Sequence, residues 1–306
     1  MAIVLQESLR AAFYAPFYAA FARGAYARAG VDVAMVSAPS PAEAARGLLA
    51  GRADLCWGGP MRVMATYQAD PSCDLVCFGE AVTRDPFLLI GARPNPGFAF
   101  ADLLSCRLGS VSEVPTPWLC LQHDLRLAGI DPARVARIAD RTMAENAAAL
   151  AAGAIDVAQV FEPYASALIE SGRGHLWYAA ATRGPTAYTC FYTRRATLAA
   201  RREEITRMVA ALDETLGWIA GADPAEIAAT VKAYFPDVAP GLLASSYARY
   251  QALGIWGRDP VLPEEGYERL RASLVSGGFV DPGAPFARAV DNGPAAAIVA
   301  RKRGSD

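Results

Sequence analysis

The sequence predicts an α/β protein built from two lobes that face each other across a ligand cleft. The motif Ala29-Gly30-Val31-Asp32 recurs later as Ala128-Gly129-Ile130-Asp131, and the stretch 49–55 recurs as 151–157. A glycine after a helical run suits the left-handed position that ends a helix, and the apolar run that follows is typical of a strand buried on both faces. Two copies of one strand–helix–strand–helix–strand plan therefore indicate two lobes.

The composition limits the classes of function. The chain has 306 residues, enough for two domains, and an apolar fraction of 53% excludes disorder. A net charge of −2 gives no basic surface for nucleic acid. The six cysteines form no C-x-x-C pair and neither histidine has a ligand partner at helical spacing, so we expect no metal and no cofactor. No apolar run reaches the roughly 18 residues of a membrane span, and we expect a monomer.

The N-terminus shows no leader, because the residues after Met1 form a strand pattern rather than a basic segment followed by an apolar one. We therefore expect a periplasmic protein if a leader precedes this chain in its gene. If Met1 is the native start, we expect a cytoplasmic one.

The first lobe begins with a strand at 3–8. Ser40 and Pro41 suit the N-cap and first position of a helix. The segment 94–97, Pro-Asn-Pro-Gly, is the densest turn signal of the chain, and we place the first crossing between the lobes there. The other predicted elements are a helix at 17–29, a strand at 31–36, a helix at 41–50, a strand at 54–58, a helix from Pro60, and strands at 75–82 and 87–93.

The second lobe follows, and the segment 184–186, Gly-Pro-Thr, marks the return crossing. Lobe I is predicted to comprise residues 1–94 plus 188–306, and lobe II residues 95–187. Two crossings between two α/β lobes are typical of hinged proteins that close around small ligands. The predicted elements are strands at 106–111, 135–139, 156–161, 175–180 and 187–194, helices at 115–128 and 142–152, and late helices, packed on the first lobe, at 195–222, 224–235, 239–253 and 263–277.

Candidate ligand contacts follow from the rule that open α/β sheets bind ligands at the carboxyl ends of their strands. Four loops meet this condition, two in each lobe. Cys190, on the strand that returns to the first lobe, is a further candidate. The candidates are Glu7, Ser8, Arg10, Phe13 and Tyr14 after the first strand, Trp57, Gly59, Pro60 and Arg62 after the third, Ser112, Glu113, Thr116 and Trp118 in the second lobe, and Glu162 and Tyr164 after its last parallel strand.

Several candidates have a structural alternative. Ser112 and Thr116 stand at a helix start, where they can hold an anion or simply cap the helix. Glu113 can complement the helix dipole or bind a cationic or amidine-like nitrogen. Glu162 directly follows a buried strand, and an unpaired buried carboxylate is costly, so we expect it to contact a ligand or the other lobe.

The aromatic and arginine candidates leave the ligand's charge open. Each aromatic ring alone is typical of a core, but as a set at four converging loops they favour a pocket that stacks a planar ring. Arg10 and Arg62 can each grip a sulfonate or carboxylate with two hydrogen bonds, or lie on the surface in salt bridges. Aromatic, heteroaromatic, sulfonate and zwitterionic ligands therefore all remain candidates.

Beyond these patterns, the chain resembles a known family. Ala15-Pro16-Phe17-Tyr18-Ala19-Ala20 followed by Ala29-Gly30-Val31-Asp32 is similar to the start of type II periplasmic binding proteins, and Glu162-Pro163-Tyr164-Ala165 is similar to their second lobe. The group it resembles holds sulfonate, taurine, nitrate and thiamine-pyrimidine-precursor proteins, the NMT1/THI5-like group. The resemblance covers residues 3–280 and implies capture of a small molecule for an ABC permease, with no catalytic residues.

The fungal pyrimidine synthase of the same group is an enzyme, so its residues need a separate check. Its active-site lysine and histidine would fall near Gly58 and Arg62, and its cysteine-rich metal run on the return strand is matched here only by Cys190. That chemistry is therefore disfavoured. A different cytoplasmic enzyme of cofactor or aromatic metabolism stays open as the alternative. An intracellular ligand sensor would need a partner domain, which the sequence does not predict here.

Overall fold

The computed structural model describes residues 1–281 and 284–303 and places ten strands within them in two five-stranded sheets. The first sheet has the order β2-β1-β3-β10-β4 and the second the order β7-β6-β8-β5-β9. We call the sheet-and-helix layers around them lobe I and lobe II. The strands are β1 Ile3–Glu7, β2 Val33–Ser37, β3 Leu55–Gly58, β4 Leu75–Val82, β5 Leu88–Gly91, β6 Arg107–Gly109, β7 Ala136–Ile138, β8 Val157–Val160, β9 His175–Ala179 and β10 Thr189–Arg194.

The two sheets have the same arrangement. Three strands are parallel in each, β2, β1 and β3 in one and β7, β6 and β8 in the other. The fourth strand, β10 or β5, comes across from the other lobe and pairs antiparallel with both of its neighbours. The predicted two-lobed α/β fold is confirmed.

The repeated sequence motif is also a repeated turn. Gly51 and Gly153 have φ of 71° and 72°, which only glycine adopts without strain. Three residues later, the carboxylates of Asp54 and Asp156 each accept the backbone N–H of the neighbouring strand, at 2.8 Å from Val4 and Arg107 respectively. Each turn therefore ties the end of a helix to an inner strand of its own sheet, β1 or β6.

The helices follow the expected start signals. Ser40 accepts the N–H of Glu43 at 3.2 Å and so caps the helix that begins at Pro41, as predicted. The predicted helix at 17–29 is broken at Gly24, whose φ is 67°. The helices are α1 Ala15–Ala22, α2 Ala25–Arg28, α3 Pro41–Leu49, α4 Pro60–Ala69, α5 Thr116–Leu127, α6 Met143–Ala151, α7 Tyr164–Glu170, α8 Arg195–Ala200, α9 Arg202–Gly221, α10 Pro224–Val231, α11 Pro240–Leu253, α12 Glu264–Ser276, α13 Phe286–Ala289 and α14 Gly293–Arg303.

The first crossing was predicted at the wrong place. β5, at Leu88–Gly91, pairs with β8 and β9 of the second sheet, so the chain leaves the first sheet at 83–87 and not at 94–97. The turn at 94–97 lies within lobe II, because proline and glycine mark turns whether or not the chain changes sheets. The return passes through 180–188, and the two crossings hydrogen bond to each other from Thr186 N–H to Thr83 O at 2.8 Å. Where the two domains divide as folding units stays a prediction.

A buried ion cluster joins the crossings to lobe II. Arg183 on the return crossing lies 2.9 Å from a carboxylate oxygen of Asp85 on the first crossing and 2.5 Å from Asp124 on α5. All three side chains are buried. The cluster fixes α5 relative to the crossings.

The late helices contact both lobes, whereas the sequence predicted contacts with lobe I. α9 packs on α1 and β4 of lobe I, but α11 also packs on α7, and α12 on α5, both of lobe II. Tyr267, Leu270 and Leu274 of α12 share one apolar cluster with Leu119 and Cys120 of α5. Among the described residues no helix is both long and apolar enough to cross a bilayer.

Candidate functional site

A chamber between the lobes is the strongest candidate site. The space free of protein atoms there is about 580 Å³, a figure that includes open solvent. We call it the Arg62 chamber. Its lining comes from both lobes, both crossings and α12: Ser8, Leu9, Phe13, Tyr14, Pro41, Gly58, Gly59, Met61, Arg62, Phe87, Val114, Thr116, Phe161, Ala187, Tyr188, Tyr192 and Leu270.

Arg62 is a cation without a counter-charge. It is the third residue of α4, and its Nε is buried with no hydrogen-bond partner. Its guanidinium forms no ion pair with any carboxylate of the described residues. Burial lowers the pKa of Arg62 from its ordinary value, but an arginine stays protonated at neutral pH. An unpaired, partly buried cation is costly, and an anion in the chamber would remove that cost.

Tyr192 adds a second donor. Its side chain is fully buried on β10, and its hydroxyl bonds to no nitrogen or oxygen of the described residues, its hydrogen-bonding neighbour being the Cys56 thiol, a weak acceptor. Burial raises the pKa of Tyr192, with the nearby Cys56 thiol adding to the rise. The hydroxyl therefore keeps its proton and can donate it in a hydrogen bond to a ligand oxygen.

Two helix starts complete the polar part of the chamber. α4 begins after Gly59, and α5 begins at Thr116 after Pro115, and neither has a side-chain cap. Of the two alternatives for Ser112 and Thr116, capping of α5 is therefore not what the structure has. The first N–H groups of a helix carry partial positive charge and favour an anion. Lobe I and lobe II thus each present a helix start to the same chamber.

Aromatic rings form the rest of the wall. Phe13 meets Phe161 edge to face at 5.2 Å and Tyr188 at 5.9 Å between ring centroids. Phe87 meets Phe161 in the same way at 5.2 Å. The chamber therefore combines anion-binding groups with an apolar, aromatic surface.

A second chamber adjoins the first. The space free of protein atoms there is about 940 Å³, again including open solvent, and we call this second chamber the Glu113 chamber. Leu9, Val114 and Phe161 line both chambers. The remaining lining is Arg10, Ala11, Ala12, Glu113, Met143, Pro163, Tyr164, Phe235 and Val238.

The structure brings many of the predicted contacts to this cleft. Ser8, Phe13, Tyr14, Gly59, Arg62 and Thr116 line the Arg62 chamber, and Arg10, Glu113 and Tyr164 line the Glu113 chamber. The other candidates line neither: Glu7, Trp57, Pro60, Ser112, Trp118, Glu162 and Cys190.

Glu7 is buried but already paired. Its carboxylate accepts two hydrogen bonds from Arg10 at 2.8 Å each, and others from Tyr18 and Ser37. Burial by itself raises the pKa of Glu7, and these hydrogen bonds outweigh that effect and lower it below its ordinary value. The pair is a structural feature of lobe I, and Arg10 has little charge left for a ligand.

Glu162 is likewise paired. It is fully buried, and its carboxylate accepts Arg249 Nε at 2.7 Å and the N–H of Ser166 at 2.8 Å. Its own N–H donates to the Tyr250 hydroxyl at 3.0 Å. Arg249 and Tyr250 lie on α11, so Glu162 links lobe II to a late helix, which is the interlobe alternative that the sequence left open.

Four other candidates have ordinary structural positions. Trp57 is fully buried and stacks on Phe17 at 5.0 Å between centroids. Trp118 is buried under the Arg137 guanidinium, 4.4 Å from the ring centroid. Cys190 is fully buried, and burial raises the pKa of its thiol. Ser112 is exposed away from both chambers.

Glu113 and Pro60 are intermediate cases. One Glu113 carboxylate oxygen accepts the N–H of Met143 at 2.9 Å and so holds the start of α6. Pro60 is the first residue of α4 and supports Gly59 and Arg62 without lining the chamber. Among the described residues, no group of three or more metal-ligating side chains could hold a metal ion.

Sequence reasoning missed Phe87, Phe161, Tyr188, Tyr192 and Leu270. Tyr188 and Tyr192 carry a local signal, since they alternate with Cys190 along the return strand and can share a face. Leu270 carries none, because it reaches the chamber from α12, far along the chain. Only the tertiary structure places it there.

A cleft lined by two α/β lobes that exchange their fourth strands is the architecture of two-lobed binding proteins. The chain belongs to the NMT1/THI5-like family: the model of that family matches residues 12–227, more than two thirds of the sequence. The family resemblance predicted from the sequence is confirmed.

Individual relatives are distant but span the whole chain. YtlA of Bacillus subtilis (strain 168) is 23% identical over 98% of this chain and 90% of its own length. The periplasmic aliphatic sulphonate binding protein SsuA of Escherichia coli has a similar fold, with a TM-score of 0.75, 18% identity, and coverage of 92% of this chain and 95% of that one. The desulfurization enzyme DSZB also has a similar fold, with a TM-score of 0.68, 15% identity, and coverage of 98% and 100%.

Proposed function

We propose that this protein is a solute-binding protein that closes its lobes on a small organic anion and presents it to an ABC permease. The observation that carries the proposal is the unpaired guanidinium of Arg62 in a chamber lined by both lobes. The Tyr192 hydroxyl and the starts of α4 and α5 add donors around the same space. In this proposal the protein is a monomer and acts in the periplasm.

The relatives support an anionic ligand. The structurally similar protein of Escherichia coli is named for aliphatic sulphonates, and the Bacillus relative carries the name of a binding protein. A sulfonate or carboxylate matches Arg62 because a guanidinium can donate two parallel hydrogen bonds to two oxygens. The aromatic walls would hold the rest of the molecule.

The lobes would close on the ligand because residues of both lobes line the Arg62 chamber. Contacts of the ligand with Arg62 of lobe I and Thr116 of lobe II can form together only when the lobes are close. A ligand with better contacts in the closed state shifts the population toward it. It also stabilises the folded state by mass action, rising logarithmically with concentration above Kd.

An enzyme on this fold is the second candidate, and DSZB gives a specific reason to test it. The lining of the Arg62 chamber within the described residues includes no histidine, cysteine, lysine or carboxylate. Ser8 and the tyrosines therefore have no general base beside them there. This favours binding over turnover.

The test compares an anion with its neutral analogue. We expect isothermal titration to show benzenesulfonate binding at least tenfold more tightly than methyl phenyl sulfone, which has the same ring and no charge. Equal affinities, or no binding of any sulfonate or carboxylate in a panel that includes taurine, would contradict the proposal. Product formation on prolonged incubation, followed by NMR, would favour the enzyme.

A further inference from the structure

The two chambers between the lobes share part of their wall. Leu9, Val114 and Phe161 line both the Arg62 chamber and the Glu113 chamber. A ligand whose charged group lies at Arg62 can therefore place its remaining atoms along this shared wall. The chemistry of the Glu113 chamber therefore decides what those atoms can be.

The wall of the Glu113 chamber is largely apolar, and its polar groups are an arginine that is already paired, a solvent-exposed carboxylate and the Tyr164 hydroxyl. Arg10 donates to both Glu7 oxygens, and Glu113 accepts the N–H of Met143. The rest of the wall is provided by small or apolar side chains such as Ala11, Ala12 and Val238. Its space, about 940 Å³ outside protein atoms, exceeds that of the Arg62 chamber.

We propose that the Glu113 chamber is a tail subsite: the ligand is an amphiphilic anion whose acid group binds at Arg62 and whose apolar chain or ring extends past Phe161 into the Glu113 chamber. This inference rests on the proposed function, since it takes the anion at Arg62 as given. It adds that the apolar part is large, with about six carbons or more. Short anions fill only the Arg62 chamber and bind weakly.

The tail subsite predicts how affinity depends on chain length. Burying one methylene group improves affinity by up to about fourfold. We expect hexanesulfonate to bind at least about twentyfold more tightly than ethanesulfonate in isothermal titration. Hexan-1-ol, with the same chain and no acid group, binds weakly, which separates the subsite from general attraction of apolar chains.

A filled subsite gives the decisive comparison. Val238 lines only the Glu113 chamber, so Val238→Trp takes up the space of the tail. We expect the ratio of hexanesulfonate to ethanesulfonate affinity to fall to about one, with ethanesulfonate affinity unchanged. Val36→Trp on β2, where Val36 is 41% exposed and lines neither chamber, is the matched control and keeps the full ratio.

Each outcome supports or overturns one proposal. If Val238→Trp fails to fold, Val238→Phe takes its place, with an intermediate ratio expected. A wild-type ratio below about two, or an equal loss for both sulfonates in the filled variants, overturns the tail subsite alone. Slower association with an unchanged ratio would make the Glu113 chamber an entrance and also overturns it. Failure of every anion to bind would instead overturn the proposed function.

Discussion

The last parallel strand of each lobe, β3 or β8, is followed by a charged residue, and the two lobes use these charges in opposite ways. In lobe I, β3 leads through Gly59 into α4, and Arg62 lines the cleft with no ion-pair partner among the described residues. In lobe II, β8 leads to Glu162, which is fully buried and bonded to Arg249 of α11. One lobe leaves its charge unpaired among the described residues, and the other uses its charge to hold a late helix.

The packing around each position explains the difference. A Cβ at Gly59 would lie 3.2 Å from the carbonyl oxygen of Tyr188, so a side chain there would press on the return crossing. At Glu162, α11 packs against lobe II and supplies three partners. A charge at the end of a strand is therefore evidence of a ligand site only when the folded chain leaves it unpaired.

The largest expected effect tests the paired position. Glu162→Ala removes one member of a buried ion pair and should lower the free energy of unfolding by about 3 kcal/mol, because Arg249 and the N–H of Ser166 lose their acceptor. Chemical denaturation measures this directly. Glu162→Gln, which keeps an acceptor of the same shape, should cost less.

The comparison would fail if Glu162→Ala left stability intact but weakened ligand binding. In that case Glu162 would be a ligand contact, as the sequence suggested, and the two lobes would share one role.

The second prediction concerns the paired carboxylate of lobe I. Glu7 has a folded-state pKa below its unfolded value, so it contributes stability at neutral pH that is lost as the pH falls below about 4.5 and through the folded pKa. Glu7→Gln should remove about 1–3 kcal/mol at pH 7. It should also flatten the loss of stability between pH 5 and pH 3 in denaturation curves. If the free energy of unfolding of Glu7→Gln fell as steeply between pH 5 and pH 3 as that of the wild type, the Glu7 carboxylate would not be stabilised by Arg10.

The smallest expected effect tests the repeat itself. Asp54→Ala and Asp156→Ala each remove a hydrogen bond to a strand N–H, from Val4 and Arg107 respectively. Each also removes a partly exposed ion pair, Asp54 with Arg201 and Asp156 with the Arg107 side chain. Each should cost about 1 kcal/mol in the free energy of unfolding. Values that differ by more than about 1 kcal/mol would show that the repeated turns support the two lobes unequally.

Much of the fold followed from local signals. The glycines of the repeat require a left-handed backbone, and helix starts such as Ser40-Pro41 have a chemistry that sequence displays. The first crossing did not follow, because the turn at 94–97 looks the same whether it joins two lobes or two elements of one lobe. No local sequence pattern predicts the contacts of α11 and α12 with lobe II either.

The position of the candidate site could be predicted from the sequence, but which of its charged side chains are already bonded to other residues could not. The strand-end rule led to Tyr14, Gly59, Arg62 and Thr116, which do line one chamber. It led equally to Glu7 and Glu162, because sequence shows a charge and not the partner that folding brings to it. Tyr192 was missed although it lies two residues from Cys190, which was chosen for its resemblance to a metal run.

The most direct test compares Arg62 with an arginine of lobe I that is paired. Arg201 is 19% exposed and bonded to Asp54 and Glu204, and it lines neither chamber. Titration of ethanesulfonate or hexanesulfonate into Arg62→Gln should give an affinity about 10- to 150-fold below wild type, the loss of hydrogen bonds to a charged group. The unliganded stability should not fall, since the wild-type guanidinium has no partner to lose. Arg201→Gln should show the reverse, with full affinity and a lower melting temperature. Wild-type affinity in Arg62→Gln, or equal losses in both variants, would contradict the account.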